Sequence, residues 1–291
     1  MTLIISVVSR WGIWQLSDHR LTAGGNVVSD VSMKTVRLEA EDGRALIAYS
    51  GIGKVENLEI SDWVRRVLRG QRRTIDQHVH LLWEKANKSL APICRRERIS
   101  HWFSIAAYVG TEPRIYIVRY VVGFGFKIEM TPIPLPKHCL IDLAESSGRV
   151  SITRKDINDI HAIIRTRRFK PTVGKDVAAM LGRLCRKANS VELSGVSPNS
   201  IVSYLAKPSE AFVTYYQNWP EGMEKPMTSD VAGGFDVKEL IQAVFPYMSE
   251  ITLANLTALE EGREPSAEVN RDKMNKLLKG ADFEPRDDLK E

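Results

Sequence analysis

The chain of 291 residues contains few cysteines and no long apolar segment. Its three cysteines, Cys94, Cys139 and Cys185, are an odd number without motif spacing, which argues against a disulfide framework and favours a reducing compartment. No apolar run approaches the roughly 18 residues that a membrane-spanning helix needs. The first residues are too few and too uncharged for a signal peptide. We therefore expect a cytoplasmic protein without a membrane partner.

The few histidines form no pattern typical of a metal site. His78 and His80 are two residues apart on a predicted helix and cannot share a face, and His138 beside Cys139 has no third ligand in sequence. His19 is adjacent to Asp18, but alternation along a strand turns its side chain to the opposite face. The sequence therefore predicts neither a metal site nor a cofactor.

Positive charge is clustered rather than spread along the chain. The formal net charge is +5, and arginines concentrate in the segments Arg65–Arg73, Arg95–Arg98 and Arg165–Arg168. Each cluster falls at a predicted helix end or connection, and no aromatic residues are interleaved for base stacking. We expect solvated helix faces or subunit contacts here, and no nucleic-acid partner.

Hydrophobic residues make up 43% of the chain, enough for a substantial core. The patterns predict strands up to residue 50, helices over Val55–Arg69 and Thr74–Leu90, and a three-strand meander from Trp102. Two further helices and a closing hairpin follow. Thr74 and Gln77 form a predicted capping box. This order favours an α+β fold, with two sheets stacked face to face and a helical layer outside each.

The C-terminal part differs in composition. Residues 218–234 are rich in Pro, Gly and Met, and Val237–Leu259 is helical with an internal Pro246 that should kink or divide it. Ala267–Leu278 is predicted as a short charged helix. We therefore predict a main domain over residues 2–217, a linker over 218–235 and a helical extension over 236–291.

The strongest chemical signal is at the start of the chain. Thr2 directly follows Met1, and Asp18 and Lys34 follow at equal spacings of sixteen. A small second residue allows the methionine to be removed. A free N-terminal threonine then carries a hydroxyl and an α-amine, whose reference pKa of about 7.7–8.0 suits a general base. Thr2 is therefore a candidate nucleophile.

Asp18, Lys34 and Gly51 have chemistry that suits such a nucleophile. A buried lysine tends to lose its proton, and a nearby carboxylate holds it charged. A cation close to the threonine hydroxyl favours an alkoxide-like transition state. Gly51 follows a buried strand, where backbone N–H groups can point at an oxyanion.

These residues together resemble the amino-terminal part of proteasome β-type subunits. The resemblance is to bacterial members of this N-terminal-nucleophile (Ntn) hydrolase superfamily that lack a long propeptide. It rests on Thr2, Ser17–Gly24, Lys34 and Tyr49–Gly51, and it is specific over residues 2–55. It implies a four-layer αββα sandwich, the Ntn hydrolase fold, to which the C-terminal helices are an extension.

The resemblance also implies a role for each catalytic residue. Thr2 is the nucleophile and its own amine the base. Lys34 supplies positive charge, and Asp18 pairs with Lys34. The Gly51 N–H forms the oxyanion hole.

Further residues have implied supporting or binding roles. Arg20 supports the site, while Thr22 and Gly53 line a groove where an extended peptide adds as a strand. Ser147 and Ser194 belong to a cluster that holds the threonine amine. The only candidate for the acidic member of that cluster is Glu192, which in sequence is one residue closer to Ser194 than its counterpart is in the family.

The implied activity is a threonine peptidase that cleaves peptides or unfolded proteins within a homo-oligomeric assembly. Trp63 and Trp83 beside Arg65–Arg73 would provide a subunit contact. The need for an unfolding ATPase is left open. The alternatives are an Ntn amidohydrolase or transferase acting on one small amide, and a non-catalytic scaffold subunit.

Overall fold

The structure is a computed structural model that describes residues 2–280, with gaps at 24–25, 31, 56, 71, 133–139, 146–151, 168–169, 171, 191–195, 208–211, 220, 222–228 and 233. Over these residues the fold is mixed α/β, with seven helices and several sheets. The strands are β1 Leu3–Ser9, β2 Gly12–Asp18, β3 Leu21–Ala23, β4 Asn26–Ser29, β5 Thr35–Glu39, β6 Gly43–Ser50, β7 Lys54–Val55, β8 Leu58–Glu59, β9 Trp102–Val109, β10 Glu112–Val121, β11 Gly125–Pro132, β12 Leu140–Glu145, β13 Ser200–Ala206, β14 Phe212–Gln217, β15 Ser229–Ala232 and β16 Phe235–Asp236. The helices are α1 Ile60–Leu68, α2 Ile75–Ser89, α3 Ala91–Glu97, α4 Arg154–Arg167, α5 Val173–Asn189, α6 Val237–Glu260 and α7 Arg271–Gly280.

One sheet has five strands in the order β12-β1-β2-β13-β14, all antiparallel. Strands β1 and β2 form its central hairpin, and every residue of both strands is buried. A strand buried on both faces needs packing partners above and below the sheet. On one face these partners are α4 and α5, whose apolar side chains share a core with β1, β2 and β13.

The second sheet has seven strands in the order β11-β10-β9-β6-β5-β15-β16. Its outer face packs against α1, α2 and α3 in a large apolar core. Between the two sheets lies a smaller apolar cluster formed by Val8, Ile13, Leu46, Ala106, Tyr108, Ile115 and Leu205. The two sheets therefore pack face to face through side chains of β1, β2, β6, β9, β10 and β13.

The first predicted helix is shorter than the sequence pattern indicates. Helix α1 begins at Ile60 rather than Val55, because Lys54–Val55 and Leu58–Glu59 pair as the small hairpin β7–β8, with Asn57 in a left-handed conformation (φ +65°). The predicted capping box is confirmed, since Thr74 accepts from the Gln77 N–H and the Gln77 side chain accepts from the Thr74 N–H. Helix α3 was not predicted.

The segment predicted as a linker contains secondary structure. Within residues 218–235, β15 pairs in parallel with β5 and is held there by an ion pair between Arg37 and Asp230. Helix α6 continues through Pro246, so of the two expected effects, a kink or a division, the division does not occur. A proline removes one helical hydrogen bond, and the other bonds of the 24-residue helix maintain it. None of the described helices is long and apolar enough to cross a bilayer.

Two arginines of the first basic cluster bind the C-terminal part of the same chain. Arg65 is buried and pairs with Asp236 and Asp62, and Arg69 pairs with Glu239. Asp236 is also the N-cap of α6, where it accepts from two backbone N–H groups. These side chains thus attach α6 to α1.

The tryptophans near that cluster are also engaged within the chain. Trp63 is 4% exposed and stacks on Phe103 with ring centroids 6.2 Å apart. Trp83 is partly exposed, and its indole N–H donates to the Phe126 carbonyl at 2.7 Å. The expectation that Trp63 lies on an apolar contact surface is wrong, because its position faces the core under α1.

Candidate active site

Thr2, Asp18 and Lys34 lie together at one end of the two sheets. Thr2 immediately precedes β1, Asp18 ends β2, and Lys34 immediately precedes β5. The hairpin register pairs Ile4 with Ser17, which places the start of β1 beside the end of β2. Lys34 reaches the same point from the facing seven-stranded sheet.

The Lys34 ammonium joins the other two residues. Its Nζ donates to Thr2 Oγ1 at 2.9 Å and to Asp18 Oδ1 at 3.1 Å. Exposure is 8% for Thr2, 0% for Asp18 and 1% for Lys34. Burial lowers the pKa of Lys34 from its ordinary value, and the Asp18 carboxylate opposes that shift by favouring the charged form.

The Asp18 carboxylate is held by four donors. Oδ1 accepts from the Leu3 N–H at 3.0 Å as well as from Lys34, and Oδ2 accepts from the N–H groups of Arg20 at 3.1 Å and Ser197 at 3.4 Å. A buried carboxylate is tolerated only where donors of this kind replace its hydration. Asp18 therefore has a fixed orientation towards Lys34.

Two contacts hold the segment that carries Lys34 against the end of β2. Ser17 Oγ and Thr35 Oγ1 are hydrogen-bonded at 3.0 Å, which joins the two sheets beside the site. His19 Nδ1 lies 2.9 Å from the Ser32 carbonyl oxygen, and the Ser32 N–H donates back to the His19 carbonyl at 3.2 Å. Burial lowers the pKa of His19 to about 4, so the ring is neutral at neutral pH.

Gly51 immediately follows β6 and is exposed, with φ +111°. A Cβ atom at this position would lie 2.2 Å from the Ser100 carbonyl oxygen, so both the backbone conformation and the close approach require glycine. The next N–H, that of Ile52, donates to His101 Nδ1 at 3.0 Å. Sequence reasoning missed His101, because it is distant from the other residues in sequence.

Three more residues of the expected set, Arg20, Thr22 and Gly53, are among the described residues. The Arg20 side chain forms a two-bond ion pair with Asp30, at 2.7 and 3.2 Å, so only its backbone N–H contacts Asp18. The Gly53 carbonyl accepts from the Ile60 N–H at 3.1 Å and thereby starts α1. Thr22 lies in β3 opposite Val27 of β4.

The second expected cluster lies outside the described residues. Ser147, Ser194 and Glu192 all fall in the gaps of the structure. The nearby Ser197 is described and buried, and its N–H is one of the donors to Asp18. Within the described part of the chain, no group of three His, Cys, Asp or Glu side chains could hold a metal ion.

No family model and no curated protein matches this chain. Two similar solved structures are both Anbu proteins. The Anbu (Gly-1) mutant from Hyphomicrobium sp. strain MC1 is 10% identical, with a TM-score of 0.48 over 75% of this chain and 87% of that chain. Anbu (ancestral beta-subunit) from Yersinia bercovieri is 13% identical, with a TM-score of 0.47 over 76% and 88%. At this similarity neither structure establishes a family or a function for this chain.

The expected assignment to the proteasome β-type family is therefore wrong. No model of that family matches, and the two solved structures are Anbu proteins of low identity. The resemblance was specific only over residues 2–55, a minor part of the chain. A short set of residue types around one site can recur without the rest of a family's sequence.

Proposed function

We propose that this protein is a threonine-type N-terminal-nucleophile hydrolase that cleaves peptide bonds. One observation carries the proposal: the buried Lys34 ammonium donates both to the Thr2 hydroxyl, at 2.9 Å, and to the Asp18 carboxylate, at 3.1 Å. A cation held against a hydroxyl by a buried carboxylate lowers the energy of the developing alkoxide. A threonine with only a structural role would not need a buried ammonium hydrogen-bonded to its hydroxyl.

The proposed chemistry needs Thr2 to be the first residue of the mature chain. The free amine takes the proton from Thr2 Oγ1 as this oxygen attacks the substrate carbonyl carbon. The tetrahedral intermediate collapses, the C–N bond breaks, and the ammonium returns its proton to the leaving amine. Water then attacks the resulting ester, releases a carboxylic acid and restores the Thr2 hydroxyl.

Gly51 is the proposed donor to the oxyanion. It is exposed beside the end of β6, and its glycine-only conformation keeps side-chain atoms away from an approaching carbonyl group. Thr22 and Gly53 are proposed to bind the substrate backbone. Arg20 is proposed to support the site through its backbone N–H, which donates to Asp18. The supporting roles of Ser147 and Ser194 stay predictions.

The packing of the two sheets supports the proposed four-layer αββα sandwich of Ntn hydrolases. Helices α4 and α5 pack outside the five-stranded sheet, and α1 and α2 pack outside the seven-stranded sheet. The homo-oligomer and the division into residues 2–217, 218–235 and 236–291 also stay predictions. The Ntn amidohydrolase or transferase is the other candidate activity, and a substrate test separates it from the peptidase.

Mass spectrometry of the purified protein tests the mechanism directly. We expect an intact mass that corresponds to a chain starting at Thr2, and a stoichiometric adduct on the N-terminal peptide after treatment with a peptide β-lactone. Thr2→Ala should abolish the adduct. Thr166→Ala, which removes an exposed hydroxyl on α4, should leave it unchanged.

Two results would refute the proposed mechanism: adduct formation on a chain that retains Met1, or an unchanged adduct in Thr2→Ala. Degradation of casein, an unstructured protein, then distinguishes the peptidase from an amidohydrolase. A labelled but casein-inactive enzyme that hydrolyses one small amide would favour the amidohydrolase.

A further inference from the structure

His101 is a fully buried histidine directly beneath the loop that carries Gly51. It immediately precedes β9 and is 0% exposed. Its Nδ1 accepts from the Ile52 N–H at 3.0 Å, one residue after Gly51. A Cβ atom on Gly51 would lie 2.9 Å from that same Nδ1, so the loop rests on the ring.

The hydrogen bond fixes the protonation of the ring. A backbone N–H can only donate, so Nδ1 is the bare acceptor nitrogen and the proton of the neutral ring is on Nε2. Burial lowers the pKa of His101 to about 3, which keeps the ring neutral over the physiological range. The ring therefore offers the loop a constant acceptor.

Neighbouring aromatic rings hold the imidazole in one orientation. Phe103 contacts it edge-on with ring centroids 4.7 Å apart, and Tyr49 is stacked beside it with centroids 6.3 Å apart and the ring planes inclined by 25°. The His101 carbonyl accepts from the Tyr120 N–H at 2.8 Å, which ties its backbone to β10. An acceptor that is fixed in this way can fix the peptide group that donates to it.

The free-energy cost of burying this imidazole indicates that its role is not only to pack in the core. His101 Nε2 is buried without a hydrogen-bond partner in the described structure. Burying an unpaired N–H costs free energy that a phenylalanine of similar size would avoid. The Nδ1 acceptor for the Ile52 N–H is the property that a phenylalanine lacks.

We propose that His101 is a positioning residue that orients the Gly51 N–H towards the substrate carbonyl, through its hydrogen bond to the adjacent Ile52 N–H. The proposal rests on the proposed function of Thr2 and Gly51. The Gly51 N–H belongs to the peptide plane between Ser50, which is held in β6 opposite Trp102, and Gly51, and the next plane is held where the Ile52 N–H meets His101. Because both neighbours of the Gly51 Cα are held, the plane that carries the Gly51 N–H has little freedom to rotate. A misplaced oxyanion donor weakens transition-state stabilisation without removing the nucleophile.

Paired substitutions separate the hydrogen bond from the packing. His101→Asn keeps an acceptor, its amide oxygen, at the same number of covalent bonds from the backbone as Nδ1. His101→Leu removes the acceptor. His78→Leu is the matched control, because His78 is also a buried histidine but lies in α2, within the helical layer. All variants are compared as full-length chains whose thermal unfolding confirms that they are folded.

The first measurement is independent of catalysis. Hydrogen–deuterium exchange of the peptide that covers residues 51–53 should accelerate at least about tenfold in His101→Leu and stay near the wild-type rate in His101→Asn. Unchanged protection in His101→Leu would overturn the positioning role, whether or not the chain is a hydrolase.

The second measurement compares two covalent probes of Thr2. A peptide β-lactone reacts at a carbonyl and forms an oxyanion, whereas a peptide vinyl sulfone reacts at a carbon–carbon double bond and forms none. In His101→Leu we expect the lactone rate to fall about 100-fold and the vinyl sulfone rate less than about threefold, with the lactone rate largely restored in His101→Asn.

Equal losses with both probes, or the same loss in His78→Leu, would refute the positioning role, since a general structural defect affects both reactions. A wild-type chain that reacts with neither probe would instead refute the proposed function of Thr2. In that case the exchange measurement alone decides whether His101 holds the loop.

Discussion

Replacing Lys34 with methionine removes the ammonium from the candidate active site and keeps an apolar side chain of similar length. Asp18 then loses its charged partner but keeps the N–H groups of Leu3, Arg20 and Ser197. Breaking a buried ion pair costs about 3–5 kcal/mol. Because three of the four donors remain, we expect the lower end, a loss of about 3 kcal/mol in the free energy of unfolding.

The same substitution should reduce the β-lactone labelling of Thr2 about 100- to 1000-fold, the usual effect of removing one group that stabilises transition-state charge. Urea unfolding and intact-mass labelling rates measure the two effects. Lys155→Met, an exposed position on α4, is the control.

The reasoning fails if Lys34→Met changes stability by less than about 1 kcal/mol and slows labelling less than about threefold. Such a result would mean that the ammonium interacts equally with water and with its two partners. A large stability loss with unchanged labelling would make the pair purely structural.

Two further predictions concern the rest of the molecule. Burial lowers the pKa of His19 and His78 to about 4 and of His101 to about 3, so below pH 6.5 the unfolded chain binds more protons and stability falls as the pH falls. Urea unfolding near pH 5 should show that the free energy of unfolding changes with pH by up to about 4 kcal/mol per pH unit. His78→Gln removes one of the three histidines and should reduce this slope by the contribution of one proton. A wild-type slope below about 1 kcal/mol per pH unit would contradict the neutral-histidine assignment. Asp236→Ala removes the N-cap of α6 and a partner of the buried Arg65. Limited proteolysis should therefore cleave α6 at least about tenfold faster in this variant than in the wild type. Equal cleavage rates would show that other contacts hold α6.

The proximity of Thr2 and Asp18 could be predicted because it depends on one local hairpin. Two seven-residue strands joined by a tight turn place Leu3 opposite Asp18, so the start of β1 and the end of β2 must meet. Lys34 required the resemblance, since its strand belongs to the facing sheet. The spacing of residues alone does not show which way a second sheet stacks.

His101 could not be predicted, because its position depends on the pairing of β6 with β9. That register places Ser50 opposite Trp102, and so brings His101 beside Gly51 across fifty residues of sequence. Three helices lie between the two strands, and nothing in the local pattern of either strand identifies the other as its partner. Pairings between distant strands are set by the whole fold.

Strand β15 was missed for a related reason. It has only four residues, Ser229–Ala232, in a segment whose Pro, Gly and Met content is typical of a linker. Its stability comes from β5 and from the ion pair of Asp230 with Arg37, which local propensity does not contain.

The pairing of β15 with β5 has a consequence for how the chain is made. Arg37 and Asp230 are 193 residues apart, so at a translation rate of about 5–20 residues per second the partner of β5 emerges roughly 10 to 40 s later. During that time the strand that follows Lys34 has an unpaired edge, which is a template for pairing with another nascent chain. Completion of the seven-stranded sheet thus waits for a segment made 193 residues after Arg37, and the open edge of β5 is the point at which a holdase chaperone would protect the growing protein.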